Sequence, residues 1–127
     1  VQPHVAHILK DVEQCGAPVI HFGTGTVMLL KHQQAAGGTV MGVDWRTPPS
    51  WARAQLGEVT LQGNLDPLVL QAPRAVAQSH VDEVLREAGA GPHIFNLGHG
   101  ILPETNPDMV RFVMDYVHER SIELRHG

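Results

Sequence analysis

The sequence predicts an α/β protein in which four βα units form one parallel sheet. Short apolar segments alternate with longer segments whose apolar residues recur every three or four positions. Each short segment ends in a glycine-containing or polar turn. Strands that alternate with helices form parallel sheets with right-handed crossovers. The order α-βα-βα-βα-βα therefore indicates a single domain over residues 1–127.

The first helix is predicted over residues 3–15, and Gly16 suits the position after its end. Residues 17–22 are apolar enough for a buried parallel strand, and the turn Gly23-Thr24-Gly25 leads into a helix over about 26–36. The spacing of one apolar helix face is shown in the first helix by Val5, Ile8, Leu9 and Val12.

The two middle units follow the same order of elements. Residues 39–43 form the second strand, and Ser50 is expected to cap a short helix over 51–56. The third strand covers residues 58–61, and a longer helix follows over 73–88.

The last unit contains the most distinctive turn of the chain. A strand over residues 94–97 runs into Gly98-His99-Gly100, and Asn106 is expected to cap a helix over 107–122. The charged tail, residues 121–127, is expected to fray.

Ligands of open α/β sheets and of barrels bind at the carboxyl ends of the strands. All four predicted strands end in polar or glycine residues, so we expect part of an active-site mouth at that edge. These residues are His21 with Gly23-Thr24-Gly25, Asp44-Trp45-Arg46, Gln62-Gly63-Asn64 with Asp66, and Asn96 with Gly98-His99-Gly100.

His99 is the sharpest candidate for contact with a ligand. Glycines on both sides free the backbone and let a ligand approach the imidazole. The alternative is a histidine that only holds its loop. Asp44 and Asp66 each follow a strand and could act in acid–base chemistry. Asp44 could equally pair with Arg46 or cap the following turn, and Asp66, which precedes Pro67, could only shape a turn or cap a helix.

Composition excludes several classes of function. Lys and Arg total 9 against 13 Asp and Glu, so the net charge of −4 argues against nucleic acid. No apolar run approaches the ~20 residues that span a bilayer. One cysteine, Cys15, excludes a disulfide framework and a cysteine-rich zinc site. We therefore expect a cytoplasmic protein without a metal.

Other features suggest smaller expectations. Gly23-Thr24-Gly25 resembles the start of a dinucleotide fingerprint, but Met28 stands where the third glycine belongs, which favours a simple tight turn. Nine histidines predict stability that is sensitive to pH between about 5 and 7. A chain that opens at Val1 directly into a helical pattern looks like a piece of something longer.

Two long motifs resemble the C-terminal part of the uroporphyrinogen decarboxylase family. They are Thr60-Leu61-Gln62-Gly63-Asn64-Leu65-Asp66-Pro67 and Phe95-Asn96-Leu97-Gly98-His99-Gly100-Ile101-Leu102-Pro103. Gly42-Val43-Asp44-Trp45-Arg46 is also similar to that family. The resemblance covers essentially the whole chain.

The resemblance implies half of a (β/α)8 barrel that removes the four acetate carboxylates of uroporphyrinogen III in haem biosynthesis. It implies no metal and no organic cofactor, the missing N-terminal half of the barrel as a partner, and a homodimer. His99 matches the family's substrate-contacting histidine, and weaker substrate-binding candidates are Gly98, Asn96, Asp44 and Asn64. The family's arginine cluster and its catalytic aspartate lie outside this sequence, so we expect the chain alone to be inactive.

Two alternatives remain. A half-barrel exposes two sheet edges and an apolar face, so the chain could be a self-associating α/β module without activity. The related cobamide-dependent methyltransferases share the barrel, but they bind zinc through histidine and cysteines, and Cys15 is the single cysteine here.

Overall fold

A computed structural model describes residues 1–126, with side chains through Arg125. Helices and strands alternate along the whole chain, and 3-10 turns precede two of the helices, at Val27–Leu29 and Pro67–Gln71. In chain order the elements are α1 (Gln2–Glu13), β1 (Ile20–Phe22), α2 (Leu30–Ala36), β2 (Val40–Gly42), α3 (Pro49–Leu56), β3 (Thr60–Gln62), α4 (Arg74–Ala88), β4 (His93–Ile94) and α5 (Pro107–His126).

The four strands form one sheet in the order β1-β2-β3-β4, and every pair is parallel. This confirms the predicted fold class. The register aligns Phe22, Gly42, Gln62 and Ile94 in one row across the sheet. Side chains alternate between the two faces of a strand, so the whole row lies on the same face.

One face of the sheet is covered by helices. Met41 and Leu61 are fully buried there, against residues of α2 and α3. A second cluster joins the end of β3 to α4 and α5, and its buried members are Leu65, Val69, Leu70, Ala77, Val81, Val84, Val113 and Val117. Sequential parallel strands with right-handed crossovers place all their helices on one side, which explains this one-sided core.

The opposite face of the sheet is open. Ile20, Phe22 and Ile94 on this face are 47%, 42% and 43% exposed. The Phe22 side chain leans over β2, because a Cβ at Gly42 would lie 2.8 Å from the Cβ of Phe22. An apolar sheet face of this kind is normally buried by another layer of structure.

The apolar face predicted for α1 is only partly covered. The helix packs on α2, and Ile8 and Val12 remain exposed. Within residues 1–126, no helix combines the length and the apolar character that crossing a membrane requires.

Several predicted boundaries need correction. The first strand is shorter than residues 17–22, since only Ile20–Phe22 pair with β2. The last strand is His93–Ile94 and not residues 94–97, although Leu97 still forms an isolated bridge to Leu65. Strand ends depend on where the neighbouring strand ends, and the sequence of one strand does not contain that information.

Two predictions about helix ends are wrong. Ser50 does not cap α3, because the helix already begins at Pro49 and the Ser50 hydroxyl donates to Glu87 of α4. The last helix does not end near residue 122, because α5 continues through Ser121 to His126, and Gly127 lies outside the described residues. The Arg120 guanidinium spans this junction, bonding Glu123 at 2.9 Å.

A cluster of hydrogen bonds between polar side chains holds α5 against α4. Tyr116 and Arg120 of α5 both donate to the same carboxylate oxygen of Asp82, at 2.8 and 2.9 Å. Burial, followed by the hydrogen bond and the negative charge of Asp82, raises the pKa of Tyr116 above its usual value. The phenol therefore stays protonated and keeps its donor at neutral pH.

His93 links β4 to the end of β3 on the helix-covered face of the sheet. Its Nε2 lies 2.6 Å from the carbonyl oxygen of Gly63, so the neutral ring donates from Nε2. Burial lowers the pKa of His93 below 6.5, and the nearby charges of Arg53 and Arg125 lower it further. We therefore assign the pH sensitivity of stability that the histidines predicted to His93.

A lowered pKa in the folded state makes protonation of His93 unfavourable to folding. Below about pH 6.5 the unfolded chain binds this proton more tightly than the folded chain, so stability falls as the pH drops. We expect the loss to stay under about 1.4 kcal/mol per pH unit. Urea unfolding between pH 5 and about 7.5 measures it. His93→Gln should flatten the profile and the exposed control His118→Gln should not; equal profiles in all three proteins would contradict this assignment.

Candidate functional site

The carboxyl ends of the four strands open onto one edge of the sheet. The edge consists of residues 23–26, 43–48, 63–66 and 95–106, which we call the rim. Every sequence-predicted site residue except His21 and Gln62 lies in the rim, and Gln62 is the last residue of β3.

Asp44 is the centre of the rim. Its side chain is 1% exposed, yet both of its oxygens accept hydrogen bonds. Oδ2 accepts from the Gly25 backbone at 2.6 Å, and Oδ1 accepts from the Arg46 backbone and the Thr47 hydroxyl at 3.1 and 3.2 Å. A buried carboxylate needs such donors to offset the loss of water. Asp44 therefore joins the turn after β1 to the turn after β2.

Asn64 connects the next turn to the same place. It is 5% exposed, and its Nδ2 donates to the backbone carbonyl of Asp44 at 2.7 Å and to that of Thr47. The amide uses both of its protons, so Asn64 has no side-chain donor left for a ligand. In this structure its role is to hold the turns after β2 and β3 together.

Gly98 brings the fourth turn against the second. Its N–H donates to the Leu65 carbonyl at 2.7 Å. A Cβ at this position would lie 2.7 Å from both Cα and Cβ of Trp45. Contacts this close leave no space for a side chain, so the loop that carries His99 can reach Trp45 only because residue 98 is glycine.

His99 and Asn96 are two exposed polar groups of this fourth turn, and Glu104 and Asn106 are exposed further along it. The His99 Nδ1 lies 3.1 Å from the Gly100 carbonyl, which can only accept, so Nδ1 carries the proton and Nε2 faces away from that bond. Asn96 uses its Oδ1 for the Leu97 N–H at 2.8 Å. Both side chains keep hydrogen-bonding capacity for a ligand.

Arg46 places a cation on the rim. Its guanidinium carbon lies 4.9 Å from the centre of the Trp45 ring, within cation–π distance. Its Nη1 lies 3.9 Å from Oδ2 of Asp44, and the side chain is 59% exposed.

Other predicted site residues serve the fold. His21 does not lie on the rim: its ring faces α2, where Nδ1 donates toward the carbonyls of Gln33 and Gly37 at 2.9 and 3.3 Å. Asp66 caps the 3-10 turn after β3 by accepting from Leu68 N–H at 3.0 Å. Gly25 has a φ of 66°, as a tight strand-to-helix turn requires.

Two residues that position the strands and their turns were not predicted from the sequence. Thr47 is 1% exposed and bonds Asp44, a signal that the Asp-x-x-Thr spacing could have provided. Gln33 is 7% exposed, and its Nε2 donates at 2.7 Å to the carbonyl of His21 within β1 and at 3.2 Å to that of Gly42 at the end of β2. Its place three residues after Leu30 put it on the buried face of α2.

Two cavities differ in their relation to the rim. One of about 420 Å³ lies beside it, between Trp45, Arg46 and Asn64 on one side and α4 on the other. A larger one of about 700 Å³ lies by the amino end of β4, against Arg86 and Arg125. Those arginines occupy the last turns of α4 and α5, where cations offset the helix dipole, so we assign the larger cavity no role in the chemistry of the rim.

Among the residues that the structure describes, no three histidine, cysteine, aspartate or glutamate side chains converge in a way that would hold a metal ion. Cys15 is exposed just after α1, and Glu13 beside it accepts from Gly38 N–H ahead of β2, at the opposite end of the strands from the rim.

Comparison with known proteins decides the family. Residues 1–120 match the uroporphyrinogen decarboxylase (URO-D) family over nearly the whole chain. The chain belongs to the uroporphyrinogen decarboxylase family. A uroporphyrinogen decarboxylase of Sorangium cellulosum is 60% identical over 120 residues, covering 93% of this chain and 34% of that protein. One of Thermus thermophilus is 49% identical over 120 residues, covering 94% of this chain and 35% of that protein. The chain thus spans about a third of the length of these decarboxylases.

A solved structure supports the fold. A methyltransferase from Methanosarcina mazei superposes with a TM-score of 0.78 over 94% of this chain and 35% of that chain. At 18% sequence identity this likeness shows the fold alone. The four βα units are half of the eight that close a (β/α)8 barrel, and the open sheet face corresponds to a barrel interior.

The packing of Gly98 on Trp45 predicts a steric effect of substitution. Gly98→Ala should destabilise the chain by about 1–3 kcal/mol, because the added methyl group overlaps backbone atoms that cannot move aside freely. Urea unfolding measures the loss. Gly100→Ala is the matched control from the same turn, since a Cβ there would meet nothing within 4 Å. Equal stability of the two variants would show that residue 98 does not need to be glycine.

Proposed function

We propose that this chain is the C-terminal part of a uroporphyrinogen decarboxylase barrel. Combined with the rest of the barrel, it converts uroporphyrinogen III to coproporphyrinogen III by removing four acetate carboxylates. The observation that carries the proposal is the match of residues 1–120 to the decarboxylase family. The 60% identity to the Sorangium protein supports it over a methyltransferase.

In this proposal the rim contributes substrate contacts and not the chemical step. His99 binds a propionate or acetate carboxylate in its doubly protonated form, in which Nδ1 donates to the Gly100 carbonyl and Nε2, which faces away from the loop, donates to the carboxylate. Asn96 donates from Nδ2, which has no partner among the described residues. Asp44 and Asn64 hold the turns at the correct distance, and Gly98 lets the His99 loop close on Trp45.

The chemical step uses groups that the family carries outside these residues. A proton adds to a pyrrole carbon, the bond between the acetate methylene and its carboxylate breaks, and its electron pair neutralises the cationic ring as carbon dioxide leaves. The exocyclic methylene that remains takes up a proton and the ring carbon loses the one it gained, which gives the methyl group of the product. A negative group near the pyrrole N–H groups stabilises that cation. Without it the chain alone is inactive. The partners are the missing N-terminal part of the barrel and a second copy of the complete enzyme, in the cytoplasm, without metal or organic cofactor.

Complementation tests the proposal. The chain is mixed with the N-terminal two-thirds of the Sorangium decarboxylase, and uroporphyrinogen is supplied without oxygen. We expect coproporphyrinogen from the mixture and none from either part alone, because the two parts together complete the eight-stranded barrel. Chromatography of the oxidised porphyrins measures the product.

A failed complementation has two informative forms. A complex of the two parts that forms without turnover would contradict the decarboxylase function of this chain. If the chain forms a dimer by itself and does not bind the N-terminal part, the result would favour a self-associating module. The exposed Ile20, Phe22 and Ile94 supply an apolar surface for such a dimer. Sedimentation of the chain with and without its partner separates the two.

His99 has a separate test in the complemented enzyme. His99→Asn should raise KM about 10-fold or more and change kcat less, because a charge-assisted hydrogen bond to a substrate carboxylate is lost in both the ground state and the transition state. His118→Asn, an exposed substitution on α5, is the control. A fall in kcat at constant KM would instead assign His99 to the chemical step.

A further inference from the structure

The rim contains a single cationic side chain of fixed charge. Residues 23–26, 43–48, 63–66 and 95–106 include one arginine, Arg46, and no lysine. Uroporphyrinogen carries four acetate and four propionate arms, all ionised at neutral pH. A substrate with this much negative charge requires positive partners where it meets the protein. Arg46 is therefore the residue of the rim with the matching charge.

The structure holds the Arg46 guanidinium in place without using up its donors. It lies over the Trp45 ring at 4.9 Å, which limits its motion and leaves the edge of the group open. Its distance to Asp44 is 3.9 Å, longer than a direct hydrogen bond, and 59% of the side chain is exposed. An arginine held in this way loses little entropy when it binds a carboxylate.

Asp44 does not depend on this guanidinium. Its carboxylate already accepts from the Gly25 and Arg46 backbone and from the Thr47 hydroxyl. Asp66, Glu83 and Glu87 also line the cavity beside the rim, but within the described residues the salt bridge of Arg46 is to Asp44. The guanidinium is therefore oriented by the Trp45 ring and by this long ion pair, and neither contact is a close hydrogen bond.

We propose that Arg46 binds a carboxylate arm of the tetrapyrrole at the rim; this rests on the proposed function and names a further substrate-binding residue for it. The Gly98 turn packs on the backbone of Trp45, the residue under the guanidinium, so Arg46 and the His99 loop belong to one patch of the rim. Arg46 supplies the fixed positive charge, and its planar guanidinium can donate two parallel hydrogen bonds to one carboxylate.

Porphyrin binding by the 127-residue chain tests the assignment directly. The probes are uroporphyrin, which has the eight carboxylates of the substrate, and a porphyrin with two carboxylates. Arg46→Gln should weaken uroporphyrin binding by about tenfold or more and leave the two-carboxylate porphyrin within about threefold. The affinity of Arg46→Lys for uroporphyrin should lie between those of wild type and Arg46→Gln, since lysine keeps the positive charge but cannot donate two parallel hydrogen bonds to one carboxylate. Added salt should weaken wild-type binding more steeply than binding by Arg46→Gln.

The control is Arg86→Gln, which removes an exposed arginine from α4 beside the cavity at the amino end of β4, away from the rim. Equal uroporphyrin affinity of wild type and Arg46→Gln would overturn the assignment. So would a wild-type chain that binds uroporphyrin no better than the two-carboxylate porphyrin, or an equal loss in Arg86→Gln.

The complemented enzyme separates this inference from the proposed function. There, Arg46→Gln should raise KM for uroporphyrinogen by about tenfold with kcat nearly unchanged, as loss of uniform binding predicts. A complex of the two wild-type parts that forms but makes no coproporphyrinogen would refute the decarboxylase function, while the porphyrin titrations would still decide whether Arg46 binds carboxylates. An active complemented enzyme with an unchanged KM in Arg46→Gln would refute the role of Arg46 alone.

Discussion

The buried carboxylate of Asp44 is the constraint on which the rim depends. An ion that is 1% exposed is tolerable only if donors surround it, and these donors come from the turn after β1 and from its own turn. The same turn then supplies the two backbone carbonyls that accept from Asn64. The Asp44 carboxylate thus fixes the first two strand-end turns relative to each other, and the backbone of its own turn fixes the third through Asn64.

The fourth turn is attached by shape and not by charge. Gly98 lies against Trp45 because it lacks a side chain, and its N–H bonds Leu65. The rim therefore separates two tasks. Buried groups such as Asp44 and Asn64 set positions, whereas the exposed His99 and the side chains of Asn96 and Arg46 keep donors or acceptors for a ligand. This division is usual in binding sites, where a rigid scaffold presents a few free polar groups.

The open sheet face links the fold to the family. Phe22 and Ile94 line a surface that a complete barrel would enclose, and the Phe22 side chain leans into the space that Gly42 leaves empty. The chain spans about a third of the decarboxylases it matches. In the complete barrel that we propose, the remaining strands would cover this apolar face.

The sequence by itself determined the fold class, the order of the elements and two of the local caps. Apolar periodicity and turn residues are local signals, and so are the two caps: Asn106 caps as predicted, and Asp66 takes the capping role that was one of its alternatives. Tertiary structure decided which way His21 faces, where the strands stop, and why Gly98 is constrained while Gly100 is not. The physical reason is that each of these depends on a neighbour distant in sequence, whether a helix over one sheet face, an adjacent strand, or the backbone of Trp45. The periodicity of apolar residues predicts the helices and strands, but contacts between residues distant in sequence are known only from the packed structure.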